Sequence, residues 1–147
     1  MKTLKTVSQT LAEKSSNAVY SINPQTSVFE ALRIMSEKNV GALIVLDGGR
    51  LVGIVSERDY TRKVDLCGRF SAATPVSAIM TRKVVTVGPK ESNQRCMQLM
   101  TAGHLRHLPV IEDEQIVGLV SIGDLVKGII AEQQDLIDHL QKYIRGE

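Results

Sequence analysis

The sequence predicts a mixed α/β (α+β) protein made of two β-α-β-β-α units, closed by a long C-terminal helix. Three observations carry that expectation. First, the 147-residue chain repeats itself: residues 19–63, moved forward by 65 positions, lie on residues 84–128 without a gap. Pro24 falls on Pro89, Ser27 on Ser92, Met35 on Met100, Val52-Gly53 on Val117-Gly118, and Asp59 on Asp124. A repeat of this length is a whole supersecondary unit. Second, short β-branched runs with period two alternate with longer stretches of helical period. Third, 43% of residues are hydrophobic but only 3% are aromatic and Trp is absent. The core is therefore aliphatic, and large enough for one domain of ordinary size. Two similar units also predict pseudo-twofold packing, with the groove between them suited to a ligand.

The elements follow in order. Val19–Ile22 and Val84–Val87 read as first strands, each ended by a proline two residues later, which cannot donate to a ladder. A helix follows. Ser27 with Glu30 three residues on forms a capping-box pattern, and Val28, Ala31, Leu32, Met35 and Val40 make one apolar stripe. The second copy, near Ser92 to Ala102, carries Cys96, Met97, Leu99 and Met100 on its stripe. Two hairpins come next. Ala42–Leu46 and Leu51–Val55 flank Asp47-Gly48-Gly49-Arg50, and Leu108–Ile111 and Ile116–Val120 flank Glu112-Asp113-Glu114-Gln115, both read as four-residue connections. A last helix starts after Ser56 and after Ser121. The second of these runs from about Gly123 to Tyr143, with Leu125, Ile129, Leu136, Leu140 and Tyr143 on one face. That stripe exceeds what a small sheet can cover, so a partner helix is expected.

The expected boundaries are a lead-in at 1–18, a first unit at 19–66, a linker at 67–75, a second unit at 76–128 and a helical extension at 129–147. The lead-ins also echo: Val7-Ser8-Gln9-Thr10-Leu11 resembles Val76-Ser77-Ala78-Ile79-Met80, with four extra residues after the first copy. Each reads as a short N-capped helical turn.

Charge excludes some functions. Eighteen basic and 16 acidic residues leave a net +2, without the basic excess of a dedicated nucleic-acid binder. No apolar run approaches bilayer length, and Met1-Lys2-Thr3-Leu4-Lys5 lacks the apolar stretch of a secretion signal. Residues 1–18 hold Lys2, Lys5, Lys14 and Glu13 with several Ser and Thr, so an organelle-import segment is conceivable but unsupported. The two cysteines lack metal-type spacing. Cys96 reads as a small core residue and Cys67 has no evident partner, so a cytoplasmic, reducing setting is the simplest expectation.

The chemistry concentrates in Gly53-Ile54-Val55-Ser56-Glu57-Arg58-Asp59, repeated as Gly118-Leu119-Val120-Ser121-Ile122-Gly123-Asp124. Ser-x-x-Asp where a strand meets a helix is a cap that satisfies free backbone N–H groups. The same geometry suits a nucleotide, since a helix start with a hydroxyl binds phosphate and a carboxylate can accept both ribose hydroxyls. The motif alone leaves both readings open. His104 and His107 stand three apart without a third ligand close by, so no metal is expected. His139 falls among charges on the terminal helix.

The ordered set of strand, proline, Met-bearing helix, hairpin and Gly-h-h-Ser-x-x-Asp, where h is apolar, occurs twice. It resembles the paired CBS-domain family, named for cystathionine β-synthase, over residues 19–63 and 84–128 and the short helix before each. Glu57-Arg58-Asp59-Tyr60-Thr61-Arg62-Lys63 is similar to a subgroup of small stand-alone members. The resemblance implies an adenosine nucleotide in the cleft between units. Asp59 and Asp124 would hold ribose, and Ser56 and Ser121 ribose or phosphate. Adenine would slot near Tyr20, Ile22 and Ala42 in one half, and near Val85, Val87, Leu108 and Pro109 in the other, with Ile122 also among the nucleotide-binding residues. Arg58, Arg62 and Lys63 on one side, and Arg106 with His107 on the other, would meet phosphate, which the arginine fork grips in pairs. The site on Ser121 and Asp124 is expected to be the better occupied, with Arg58 and Arg62 as its partner charges if the units pack head to tail.

The functional expectation is a non-catalytic regulatory sensor of AMP or NAD, with ATP and ADP possible, that reports cellular energy state to an unknown partner protein. No Ser-His-Asp order, metal cluster or P-loop points to an enzyme. The alternatives are a constitutive scaffold with dead sites and an unrecognised nucleotide-acting enzyme. A homodimer shaped as a flat disc is expected, with its terminal helices at the rim or interface and with neither nucleic acid nor membrane as partner.

Overall fold

A computed structural model describes residues 5–14, 18–65, 68 and 70–146. Cys67 and the first four residues, on which the thiol and targeting expectations partly rest, lie outside the described residues. The fold is mixed α/β with two small sheets. In order it runs α1 (Val7–Glu13), β1 (Ser21–Ile22), α2 (Val28–Lys38), β2 (Ala42–Asp47), β3 (Arg50–Ser56) and α3 (Glu57–Tyr60). It continues through a π-helical turn (Thr61–Asp65), a 3-10 turn (Val76–Ala78), α4 (Asn93–Gly103), β4 (His107–Glu112), β5 (Gln115–Ser121) and α5 (Ile122–Arg145).

The chain divides into two compact units, residues 18–85 and residues 1–17 with 86–147; the latter is called here the terminal unit. The 18–85 unit holds the sheet β1-β2-β3, parallel between β1 and β2 and antiparallel between β2 and β3. Its core is Val28, Ala31 and Met35 of α2, Leu43 and Val45 of β2, and Val55, Val64, Val76, Ile79 and Met80 around them. The terminal unit pairs β4 with β5. Its core is Cys96, Met100, Leu108, Val110, Val120 and Leu125, joined by Val7 and Leu11 of α1. Each lead-in thus belongs to the repeat that it does not precede. The strand-helix pattern gave the elements, and this pairing decides which core each lead-in completes.

Three details differ from the sequence expectation. The first strand of the second repeat shrinks to one parallel bridge, Val87 to Val110. In the 18–85 unit the Ile44 N–H donates to the Tyr20 carbonyl at 3.2 Å. Pro109 occupies the matching position and has no N–H to give, so the ladder there cannot extend. The hairpin loops are two residues long, not four. Gly48 and Gly49 have φ of 59° and 83°, and Asp113 and Glu114 have 51° and 66°. Positive φ at both central residues gives the turn whose twist matches the flanking strands. Finally, Ser27 Oγ accepts the Glu30 N–H at 3.1 Å, but the Glu30 carboxylate pairs with Arg33 instead of closing the expected capping box.

Helices α2 and α4 both end on a left-handed residue, Asn39 at φ 56° and His104 at φ 54°. His104 therefore serves as a helix terminator. Gly53 and Gly118 are needed for packing. A Cβ on Gly53 would lie 2.6 Å from Met80 Sδ, and one on Gly118 would lie 2.8 Å from both Leu11 methyls. The lead-in side chains lie directly on those strands, which explains the glycine in each repeated motif.

Candidate functional site

The two Ser-x-x-Asp segments form matching corners, one in each unit. Strand register puts Ala42 opposite Ser56 and His107 opposite Ser121. The first N–H of each following helix donates to the residue before the facing strand: Glu57 to the Gly41 carbonyl at 3.2 Å, and Ile122 to the Arg106 carbonyl at 2.9 Å. Each corner is therefore a strand start, a strand end and a helix start brought together by hydrogen bonds.

Both corners hold a complete reciprocal cap. The Ser56 N–H donates to Asp59 Oδ2 at 2.9 Å, and the Asp59 N–H donates to Ser56 Oγ at 3.3 Å. At the other corner the Ser121 N–H donates to Asp124 Oδ2 at 2.8 Å, and the Asp124 N–H donates to Ser121 Oγ at 3.1 Å. The capping reading of the motif is thus real.

Each aspartate also carries an ammonium, from a different place. Lys63, one turn along from Asp59, lies 3.3 Å from its Oδ1 and donates to the Ile79 carbonyl at 2.9 Å. Gly128 stands where Lys63 would be in the second repeat, so that route is closed. Lys14, at the C-terminal end of α1, fills the role: its Nζ is 3.0 Å from Asp124 Oδ2 and donates to the Leu119 carbonyl at 2.9 Å. At Asp59 the Ser56 N–H and hydroxyl meet Oδ2 and Lys63 meets Oδ1, whereas at Asp124 the Ser121 N–H and the Lys14 ammonium both fall on Oδ2. Both carboxylates keep 15% of their side-chain exposure. Burial works against the charged form of Asp124, but the Ser121 N–H, the Lys14 ammonium and the Ser121 hydroxyl outweigh it, and its carboxyl sits below the usual carboxylate range.

The other expected site residues distribute as follows. Tyr20, Ile22, Ala42, Ser56, Arg58, Asp59, Arg62 and Val85 belong to the 18–85 unit, and Val87, Arg106, His107, Leu108, Pro109, Ser121, Ile122 and Asp124 to the terminal unit. Ile22, Ala42, Val87, Leu108 and Pro109 are buried, Tyr20 and His107 are half-buried, and Val85 and Ile122 are exposed. Lys38 Nζ lies 5.5 Å from the Tyr20 ring centroid. Val87 is committed to the bridge, donating to the Pro109 carbonyl at 3.0 Å and accepting from the Ile111 N–H at 2.9 Å. Among the described residues no group of three metal-binding side chains exists, and no helix is long and apolar enough to cross a membrane. Cys96 is a free, fully buried thiol, and burial with nearby Glu91 pushes it up to about 11.

Sequence reasoning missed Lys14. Its ion pair depends on α1 docking beside β5, which no local pattern reveals. The only available signal was Gly128 in the place of Lys63.

Comparison with known proteins completes the picture. A family model described as "CBS domain" matches residues 12–65 and 76–131. The chain is 44% identical over 125 residues to "CBS domain-containing protein CBSX3, mitochondrial" of Arabidopsis thaliana, covering 82% of this chain and 61% of that protein. It thus spans about three fifths of that relative's length. A solved structure of a CBS-domain protein from Burkholderia ambifaria MC40-6 superposes with a TM-score of 0.84 at 49% identity, over 88% of this chain and 96% of that one. The hexameric CBS-CP12 protein from bloom-forming cyanobacteria matches at 0.78 and 25% identity, over 98% of this chain and 87% of that one. The CBS domain pair of protein MJ0100, in complex with 5′-methylthioadenosine and S-adenosyl-L-methionine, matches at 0.77 and 23% identity, over 88% and 99%.

Proposed function

Because the chain belongs to the CBS-domain family and carries that domain twice, we propose that it is a non-catalytic sensor of adenosine nucleotides that modulates a partner protein. The observation that carries this reading is the pair of capped corners, each presenting a part-exposed aspartate beside a lysine ammonium at the start of a helix. The MJ0100 domain pair, which shares the fold, takes adenosine compounds. The cations near the corners, Arg58, Arg62, Lys63 and Arg106 with His107, favour a phosphorylated ligand, AMP or NAD first and ADP or ATP next. The Asp124 corner is the better candidate, since both of its internal contacts use one oxygen. The binding set comprises Tyr20, Ile22, Ala42, Ser56, Arg58, Asp59, Arg62, Val85, Val87, Arg106, His107, Leu108, Pro109, Ser121, Ile122 and Asp124. Sensing also requires two states with different nucleotide affinity. Self-association as a homodimer, in a reducing compartment that suits the free Cys96 thiol, completes the proposal.

The test is calorimetry with AMP and NAD on the wild type and on Asp124→Ala, beside their melting curves. Loss of a hydrogen bond to a charged group weakens binding about tenfold or more, while loss of the cap costs about 1 kcal/mol of stability. Binding that survives Asp124→Ala intact overturns the ribose role. The complete caps also suit a constitutive scaffold, and that reading stands if no adenine nucleotide raises the melting temperature.

A further inference from the structure

An ionised carboxylate offers about two lone-pair sites on each oxygen. At Asp124 the Ser121 N–H at 2.8 Å and the Lys14 ammonium at 3.0 Å take those of Oδ2, and Oδ1 lies outside both contacts. A vicinal diol grips a carboxylate best with one hydroxyl on each oxygen. Such a ligand finds Oδ1 open, but at Oδ2 it meets two donors already in place.

The two donors are not equally fixed. The Ser121 N–H belongs to the cap, and the backbone at the start of α5 sets its position. Lys14 comes from the C-terminal end of α1, and its place depends on how that end docks. The other end of α1 is tied by backbone: the Val7 and Ser8 N–H groups donate to the Glu91 and Pro89 carbonyls, both at 2.8 Å. The last turn is held by side chains instead. Leu11 lies over Gly118 of β5, and the Lys14 ammonium bridges Asp124 and the Leu119 carbonyl. The Lys14 N–H itself donates back into its own helix, to the Leu11 carbonyl at 3.2 Å. Lys63 differs, because it sits one turn from Asp59 on the same stretch of chain and needs no docked helix to reach it.

We propose that Lys14 is a latch that competes with ribose for Asp124 Oδ2. A nucleoside that takes both carboxylate oxygens displaces the ammonium and loosens the last turn of α1. A docked α1 in turn holds down the affinity of the corner, since coupling of this kind is reciprocal. The inference rests on the nucleotide reading above and gives that site its regulation.

The test is calorimetry of adenosine and of AMP on the wild type, Lys14→Met, Asp124→Ala and the double variant. Methionine keeps an unbranched stem and drops the charge, and a melting curve verifies the fold. Lys14→Met is expected to tighten adenosine about two- to fivefold, the worth of a part-exposed ion pair. No tightening is expected where Asp124→Ala is already present. Damage to the fold would weaken binding, so a gain is not a merely structural effect. Adenosine carries no phosphate, which separates the latch from the opposite role. An ammonium that serves phosphate would give weaker AMP binding in Lys14→Met with adenosine unchanged, and that result overturns the latch while the nucleotide reading stands. Unchanged affinity for both ligands, or tightening that persists beside Asp124→Ala, overturns it in the same way. If neither the wild type nor Lys14→Met binds either ligand, the nucleotide reading falls and takes the latch with it. Binding by Lys14→Met alone supports both.

Discussion

At the scale of single residues, the two aspartates show how one motif serves structure and leaves room for chemistry. Asp124 accepts the Ser121 N–H and the Lys14 ammonium, and its carboxyl is held below the ordinary range. A carboxyl lowered in the folded state contributes stability above its unfolded value, near 3.9, and loses it as pH falls through the folded value. The terminal unit should therefore weaken below about pH 4, and Asp124→Asn should show a smaller loss between pH 7 and pH 3. Urea midpoints of both proteins at the two pH values measure this, and equal losses would remove the ion pair from the account. The Ser and Asp of both corners were legible in the sequence because a cap depends on neighbours in the chain. Lys14 was not, because its partner lies 110 positions away (124 − 14) and is brought to it by packing alone.

At the scale of elements, the repeat makes each unit a control for the other. Val28 of α2 and Ile79 of the second lead-in are buried together in the 18–85 core. The matching residues in the terminal unit are Asn93 and Thr10, where Asn93 Nδ2 donates to Thr10 Oγ1 at 2.6 Å and Asn93 Oδ1 is buried without a partner. An orphaned buried acceptor costs about 1–3 kcal/mol, and replacing both partners with apolar groups is neutral or favourable. The pair Thr10→Ile and Asn93→Val should raise the stability of the terminal unit by about 1–2 kcal/mol, read as a higher denaturant midpoint. Either substitution alone should help less or harm, because it leaves one polar group behind. Hairpins and long helices were legible here because period two and period 3.6 are local signals. The shortened first strand of the second repeat was missed although Pro109 stood in view, since its missing N–H matters only once the facing strand is known.

At the scale of the whole molecule, the exchanged lead-ins set the order of dependence. Val7 and Leu11 are buried in the terminal core, and each such side chain contributes about 1.5–3 kcal/mol. Removing residues 1–14 should therefore destabilise the terminal unit by about 3–6 kcal/mol and leave 18–85 intact. Hydrogen exchange should show faster loss of protection in β4 and β5 with β2 and β3 unchanged; uniform loosening would refute the division. The alignment of the repeats exposed the two units but not this exchange. The lead-ins echo at a spacing of 69 positions (Val7 to Val76) against 65 for the rest (Ser27 to Ser92), and an amphipathic turn does not name the sheet it will cover.

The same exchange has a temporal side. A ribosome releases α1 before the strand and helix that receive it, and β5 and α5 emerge more than a hundred residues later. The 18–85 unit can close while synthesis continues, whereas α1 has no seat until β5 and α5 have emerged. Helix α1 thus settles long after it is made, and only its arrival delivers Lys14 to Asp124.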